Sequence, residues 1–449
     1  MHRRLILITG FMVFFGNILM HAQVSPSFLN IDTTTYNAYL RHDWKTVIKA
    51  GRQGIRNDID YYFLRMRMGI ACHEKTNYRR AILHFNKARE FNNDGESINE
   101  YLYHAYNLSG RTADARFLSA SLTPSELAKN NLTHNNKVYG GVYFQYLFNQ
   151  DAVTNVNYTR PADPLMDGIQ IVVNHMSKMY GAFDFEIGRR LNLYLAYTFL
   201  VQDRFYYQQE SGISTMVNKH QLFQNQIYLG NRWRIGNGWN MTVAYHYALG
   251  TTPNYYRSIA GPGSGRVLVL PSWQFHDHLF HLALTKDISY INFGVEANVA
   301  RIQGYKLFQG GLTSVFYPLG NLNLYAVNNF HYLTVFQSGI ANTNKTLFES
   351  NLGWKVASFL WMELYGSWGD HSKFSVVSGR LIYNGPNRIT QQYGGSVIFP
   401  FARTYGRFFV NYYFVRSESQ FVSDTFINSR FNTLKIESHT IRGGLSWTF

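Results

Sequence analysis

Cysteine is almost missing from this 449-residue chain: Cys72 stands alone, so neither an intramolecular disulfide nor a cysteine metal cluster is available to hold the fold. Cys72 also lies far from the N-terminus, which excludes a lipid-modified N-terminal cysteine. Charged residues are scarce at 15%, and acids are the scarcer sign, with 27 Asp and Glu against 42 Lys and Arg for a formal charge of +15. No internal stretch has the ~20 apolar residues a membrane-spanning helix requires. Aromatics, by contrast, reach 17%, and there are 36 glycines. Many aromatics without long apolar runs fit a chain of amphipathic strands in which alternate residues meet lipid.

The N-terminus reads as an export signal over residues 1–22. His2, Arg3 and Arg4 form a basic start, Leu5 to Leu19 is mostly apolar, and Ala22 offers a small residue before a cut.

Residues 28–130 have helical periodicity and an internal repeat. The spacing of Met68, Gly69, Cys72, Ala81, Phe85 and Ala88 resembles the tetratricopeptide pattern, which implies small residues that let two antiparallel helices approach while Ala and Phe fill the gap. A step of 34 residues carries Ala81 to Ala115. Three repeats follow, at about 28–61, 62–95 and 96–129, which is near the minimum for a stable solenoid. Such an array offers a groove for a partner protein, with Tyr61, Tyr62, Arg65, Tyr101 and Tyr103 as candidate binding residues. A helical foot packed under the following domain fits the same pattern.

Residues 135–449 switch to period two. In the last strand Ile441, Leu445, Trp447 and Phe449 share one face while Thr440, Arg442, Ser446 and Thr448 share the other. Short connections at Gly188–Arg190, Gly236–Gly238, Asp287–Ser289, Pro318–Gly320, Ala357–Phe359 and Pro400–Arg403 alternate with long polar ones. Short turns belong on the periplasmic side of an outer-membrane barrel and long loops outside. The expected fold is therefore α + β and multidomain: a short helical solenoid followed by an antiparallel transmembrane β-barrel of about 14 strands (12–16 at the extremes). The segment 373–384 is either an extra hairpin in an outer loop or a pair of strands that raises the count to sixteen.

On the period-two phase, Asp184, Glu186, Arg232, Arg234, His246, His281, Asp287, Glu296, Lys355, Glu363 and Arg442 face the lumen. Both signs are present, which fits a charge-lined aqueous pathway and equally a static ion-pair network. Arg204-Phe205-Tyr206-Tyr207, Tyr255-Tyr256-Arg257 and Arg416 are expected in outer loops or an interfacial girdle. His276, Asp277, His278 and His281 form a weak metal or catalytic hint, and Gly261-Pro262-Gly263-Ser264-Gly265, with no helix after it, reads as an outer loop. No catalytic residue, metal or cofactor is assigned.

The 34-residue pattern on Gly69 and Ala81 resembles the tetratricopeptide (TPR) repeat. The terminal Trp447-Thr448-Phe449 resembles the C-terminal signal read by the outer-membrane assembly machinery. Together they make the chain similar to TPR-containing bacterial outer-membrane barrel proteins, with a Bacteroidota-like composition. The domain order is that of exopolysaccharide secretion porins, which carry many more repeats. The resemblance implies transport or secretion across the outer membrane, a periplasmic foot that docks a protein partner, and contact with outer-membrane lipid and lipopolysaccharide. A non-conducting scaffold or assembly subunit is the second reading and a barrel hydrolase the third; no nucleic-acid partner is expected.

Overall fold

The computed structural model describes residues 27–92, 96–120, 122–129, 136–149, 167–210, 213–253, 255–261, 264–270, 272–337, 341–401, 406–421 and 433–448. The export signal of residues 1–22 and the terminal Phe449 lie outside the described residues, as do Pro262 and Gly263.

Seven helices are described first: α1 (Phe28–Leu40), α2 (Trp44–Arg56), α3 (Tyr62–Glu74), α4 (Tyr78–Phe91), α5 (Glu96–Leu108), α6 (Thr112–Ser119) and the short α7 (Pro124–Lys129). The turns inside the pairs α1/α2, α3/α4 and α5/α6 repeat one hydrogen-bond scheme. Asp43 N donates to Ala38 O, Asn77 N to Cys72 O and Arg111 N to Tyr106 O, each at 2.8–2.9 Å and each 34 residues after the last. His42, Thr76 and Gly110 occupy the left-handed region at the same point of each turn. Asp43 and Asn77 then cap the following helices through their side chains.

Met68, Gly69, Cys72, Ala81, Phe85, Ala88 and Ala115 are all buried. A Cβ at Gly69 would stand 2.4 Å from the Phe85 ring, so only glycine lets α3 and α4 close on that side chain. Burial pushes the Cys72 thiol up to about 11, which leaves it protonated and inert.

The barrel closes in the order β1 (Val138–Asn149), β18 (Leu434–Thr448), β17 (Gly406–Ser419), β16 (Arg388–Phe401), β13 (Leu360–Gly369), β12 (Thr343–Ala357), β11 (Leu324–Phe336), β10 (Tyr305–Phe316), β9 (Ile291–Ile302), β8 (Trp273–Ile288), β5 (Trp239–Thr252), β4 (Ile213–Gly236), β3 (Leu191–Glu210) and β2 (Gly168–Ile187), fourteen strands, every pair antiparallel. β1 (Val138–Asn149) zips to β18 (Leu434–Thr448), so no edge is left open, as lipid demands. Outside the wall are two small hairpins, β6/β7 (Tyr255–Gly261 and Ser264–Leu270) and β14/β15 (Ser375–Val376 and Leu381–Ile382). The second resolves the two sequence expectations for 373–384: it is an extra hairpin in the long-loop-side connection from β13 (Leu360–Gly369) to β16 (Arg388–Phe401), its apolar side chains folded inward, and it adds no strand to the wall.

Alternation sets the two faces. Phe144, Tyr197, Ile227, Phe280, Leu312 and Phe330 are exposed outward, and neighbouring strands repeat the pattern. This outward apolar belt around a polar interior is the outer-membrane barrel architecture. β2 (Gly168–Ile187), β3 (Leu191–Glu210) and β4 (Ile213–Gly236) run to 20, 20 and 24 residues, against 12 in β9 (Ile291–Ile302) and β10 (Tyr305–Phe316). Their surplus lies beyond the end of β1, on the long-loop side.

The helical region packs against the short-turn end. Arg79, at the start of α4, is buried: it pairs with Asp287 at 3.2 Å, donates to Ser289 O and lies 3.6 Å above the Tyr317 ring. Asn77 donates to the Tyr290 hydroxyl and Asn321 to Thr76 O. From α6, Asp114 pairs with Arg234 at 2.5 Å and Arg116 with Glu186 at 3.4 Å. Phe117 is covered by the Arg234 guanidinium at 4.0 Å. The turns β2/β3, β4/β5, β8/β9 and β10/β11 thus all touch this foot, where β5 is Trp239–Thr252, β8 is Trp273–Ile288 and β11 is Leu324–Phe336.

Candidate functional site

The connection from β13 (Leu360–Gly369) to β16 (Arg388–Phe401) turns into the lumen and divides it. Phe374, Val376 and Ile382 are buried against Leu279, Ile302, Leu307, Leu333 and Leu347 of the inner wall. Such an apolar cluster inside an otherwise polar barrel holds the loop to one side. Polar contacts fix its height. Gln309 both donates to Ser375 O (2.6 Å) and accepts from Ser375 N (3.0 Å). His246 Nδ1 donates to Gly379 O at 2.7 Å, and the Tyr228 hydroxyl to Ser378 O at 2.8 Å. Asn384 donates to the buried Asp277 carboxylate at 2.8 Å. At the tip Val377, Ser378 and Gly379 all have φ between 55° and 80°, a region a β-branched residue rarely enters, so the surrounding contacts hold this turn against local strain.

The other face of the loop is unpacked. Between it and β1–β3 and β16–β18 lies a cavity of about 600 Å³, where β17 is Gly406–Ser419. Its wall carries Lys178, Arg380, Arg407 and Arg442, with Glu349 the one carboxylate among the described lining residues. Glu349 is already engaged, by His331 at 3.4 Å and by the Tyr365 hydroxyl at 2.7 Å.

The sequence-assigned lumen residues divide into three groups. Asp184, Glu186, Arg232, Arg234 and Asp287 stand inward at the short-turn end. There Glu186, Arg234 and Asp287 are neutralised by the helical foot, while Asp184 meets Arg232 at 3.8 Å. Glu296 joins His331 at 3.2 Å, Glu363 accepts from the Tyr325 hydroxyl, His281 donates to Asn298 Oδ1, and His246 holds the loop. Lys355 lies over Trp361. Arg442 alone of the set reaches the cavity, where it donates to Asn411 Oδ1 and to the Tyr413 hydroxyl. The ion-pair network and the charged cavity therefore both exist within the lumen, and Glu349 belongs to both.

Lys178, Arg380, Arg407 and Tyr143 of the cavity were not singled out in the sequence. Lys178 shares the inward phase of Asp184 and Glu186 on β2 and was open to the same reading. Arg380 lies in a loop, where period two gives no face.

Other candidates are placed differently from expectation. Arg204, Phe205 and Tyr207 are buried within β3, not in an outer loop; Phe205 packs with Val172 and Ile436, and Arg204 donates to Gln202. The cause is the extra length of β2–β4, which carries the sheet past the belt. Arg416 lies in β17 and pairs with Glu437. Tyr255, Tyr256 and Arg257, by contrast, form part of β6, in the long-loop-side connection from β5 to β8, in keeping with the outer-loop expectation. The histidine cluster is split by the wall: His276 and His278 meet Tyr247 and Tyr245 on the outward face, whereas Asp277 and His281 point inward.

Ser367 accepts or donates to His371 Nε2 at 2.7 Å, the geometry of a nucleophile and its base. Both are 0% exposed, and the His371 ring faces backbone oxygens of Gly369 and Ile389. The pair fastens the root of the loop and has no access to a substrate.

In the helical region, the candidate binding residues are half-buried and occupied. Tyr61 donates to Asp32 at 2.6 Å, Arg65 makes two 2.6 Å bonds to Asp60, Tyr101 stacks on Phe85, and Tyr62 and Tyr103 pack on the same core. The exposed apolar side chains of the helical region include Phe28, Leu29, Leu40, Phe63 and Leu83.

No family model matches the chain, and no curated protein does either. Among solved structures, a Pseudomonas aeruginosa FadL homologue aligns with TM-score 0.40 at 10% identity over 74% of this chain and 93% of that one. The P. putida toluene transporter TodX aligns at 0.42 and 8%, over 74% and 93%. A bacterial polysaccharide outer membrane secretin aligns at 0.35 and 7%, over 69% and 98%. Similarity this distant concerns barrel architecture and says nothing of substrate.

Proposed function

We propose that this protein is an outer-membrane transport barrel whose inward loop narrows the lumen to one side passage. The helical region, read as a short TPR-like array, would lie on the periplasmic side and dock a protein partner. The observation that carries the reading is the one-sided loop. It is bonded to β8–β12 (β12 being Thr343–Ala357) and leaves about 600 Å³ beside β1–β3. A plug meant only to seal would have no reason to pack one face and leave the other open. The 34-residue recurrence of the turns supports the TPR-like reading, and exposed Leu40, Phe63 and Leu83 offer apolar contact area to a partner.

A non-conducting scaffold is the second reading, supported by the number of bonds that tie the foot to four turns. Planar-bilayer recording separates the two. The transport reading expects small single-channel steps from the intact protein and steps several-fold larger when residues 372–385 are replaced by a Gly-Gly link. Silence from both proteins would leave the scaffold.

A further inference from the structure

We infer that the lumen cavity is a binding site for an organic anion with an apolar body, its charged head seated deep between Lys178 and Arg442. The inference rests on the transport reading for its meaning, since it names a class of cargo, but the site stands on its own geometry.

Three adjacent strands show the same gradient along the cavity wall. β2 runs from Met176 through Lys178 to Tyr180. β1 runs from Leu147 through Gln145 to Tyr143, and β18 from Ile436 through Ser438 and Thr440 to Arg442. The alternate residues between them face lipid, so each series is one inward face. The wall is thus apolar toward the long-loop end and cationic and phenolic below.

The deep end is assembled around Tyr143. Its ring stacks on Tyr180 at 4.4 Å between centroids; Lys178 Nζ lies 5.6 Å from its centre and Arg442 Cζ 5.2 Å. Lys178 is 8% exposed, and among the described residues it has no carboxylate within ion-pair distance. A buried ammonium without a counter-charge is costly unless water or an anion meets it from the open side, and here the open side is the cavity. Arg380 reaches in from the loop over Tyr194, and Arg407 adds a fourth cation. With Glu349 held by His331 and Tyr365, the cavity presents an uncompensated positive field. A volume of about 600 Å³ suits a small organic molecule.

The test uses the full-length protein in phosphatidylcholine nanodiscs, where no transport can occur, and three probes of one shape: para-tert-butylbenzoate, the neutral benzamide and the cationic benzylamine. Equilibrium dialysis at neutral pH is expected to show the benzoate binding about tenfold or more tighter than the amide, with the amine weakest. Lys178→Gln with Arg442→Gln should bring the benzoate down to the level of the amide, while Lys178→Arg retains it. Equal binding of benzoate and amide to the wild type overturns the proposal, as does benzoate binding unchanged in a double variant that still migrates as a folded barrel. Should that variant fail to fold, the wild-type series decides alone. Charge-selective binding without bilayer conductance would sink the transport reading and leave the site, and conductance without charge-selective binding would do the reverse.

Discussion

Leu40 in the helical region and Leu312 in the barrel are equally exposed, at 56% and 58%, and mean opposite things. Leu40 ends α1 in water, where an exposed leucine contributes little to folding whatever it offers a partner. Leu312 stands on the outward face between Val295 and Phe330, in the belt that meets lipid. The helical region keeps Phe85, Leu64 and Met68 inside and buries the charges of Arg79, Asp114 and Arg116 where it meets the barrel; the barrel wall is turned the other way, with Glu186, His246 and Asp277 inside. Among the described residues, the lumen's largest core of the first kind forms where the inward loop brings Phe374 and Val376 to Leu279 and Leu333. One chain thus folds against two solvents, and exposure has meaning only with the solvent stated.

Four experiments sharpen that contrast. Phe85→Ala should cost the helical region about 4 kcal/mol, since it empties a ring site packed on Gly69. Helical circular dichroism should be lost at lower denaturant while the barrel keeps its heat-dependent shift on a gel; joint loss of both would show one folding unit. Leu312→Arg should destabilise the barrel by about 3 kcal/mol, the cost of a cation near the bilayer midplane, measured by urea unfolding in lipid.

The third is a pH titration. His84 is buried in α4 and its Nδ1 accepts from Arg65 at 3.1 Å. Burial first, and the Arg65 charge next, push its pKa down to about 3. The unfolded chain takes that proton near pH ~6.5, so between these values the unfolded state holds more protons. Stability of the helical region should therefore fall as pH drops through this window, by at most about 1.4 kcal/mol per pH unit, and His84→Gln should flatten the slope in thermal melts. Smallest of all, Leu40→Ser should change stability by less than about 0.5 kcal/mol, against the large effect at Leu312.

The sequence made the wall legible because period two is a local signal. It assigned Asp184, His246, His281, Glu296 and Arg442 to one face, and they stand together on it. It marked the small residues of the helical turns for the same reason, a spacing that geometry repeats. The inward loop was not legible. Its strands are two residues each, too short to show alternation, and its anchors Gln309, His246 and Asp277 lie 66 to 133 residues away. Nor do Glu186 and Arg234 announce that their partners are Arg116 and Asp114. A charge on the inner phase can serve a passage or close a joint, and only the fold distinguishes them.

The unequal strands shape the mouth. Twenty residues at ~3.3 Å each make β2 and β3 about 66 Å long, against about 40 Å for the twelve residues of β9 and β10. Among the described residues the wall is therefore higher on the β2–β4 side than at β9 and β10. An arriving molecule meets a backstop on one side and a spillway on the other, and the charged cavity opens at the foot of the backstop. Among the described residues the mouth has the outline of a hooded inlet rather than a chimney.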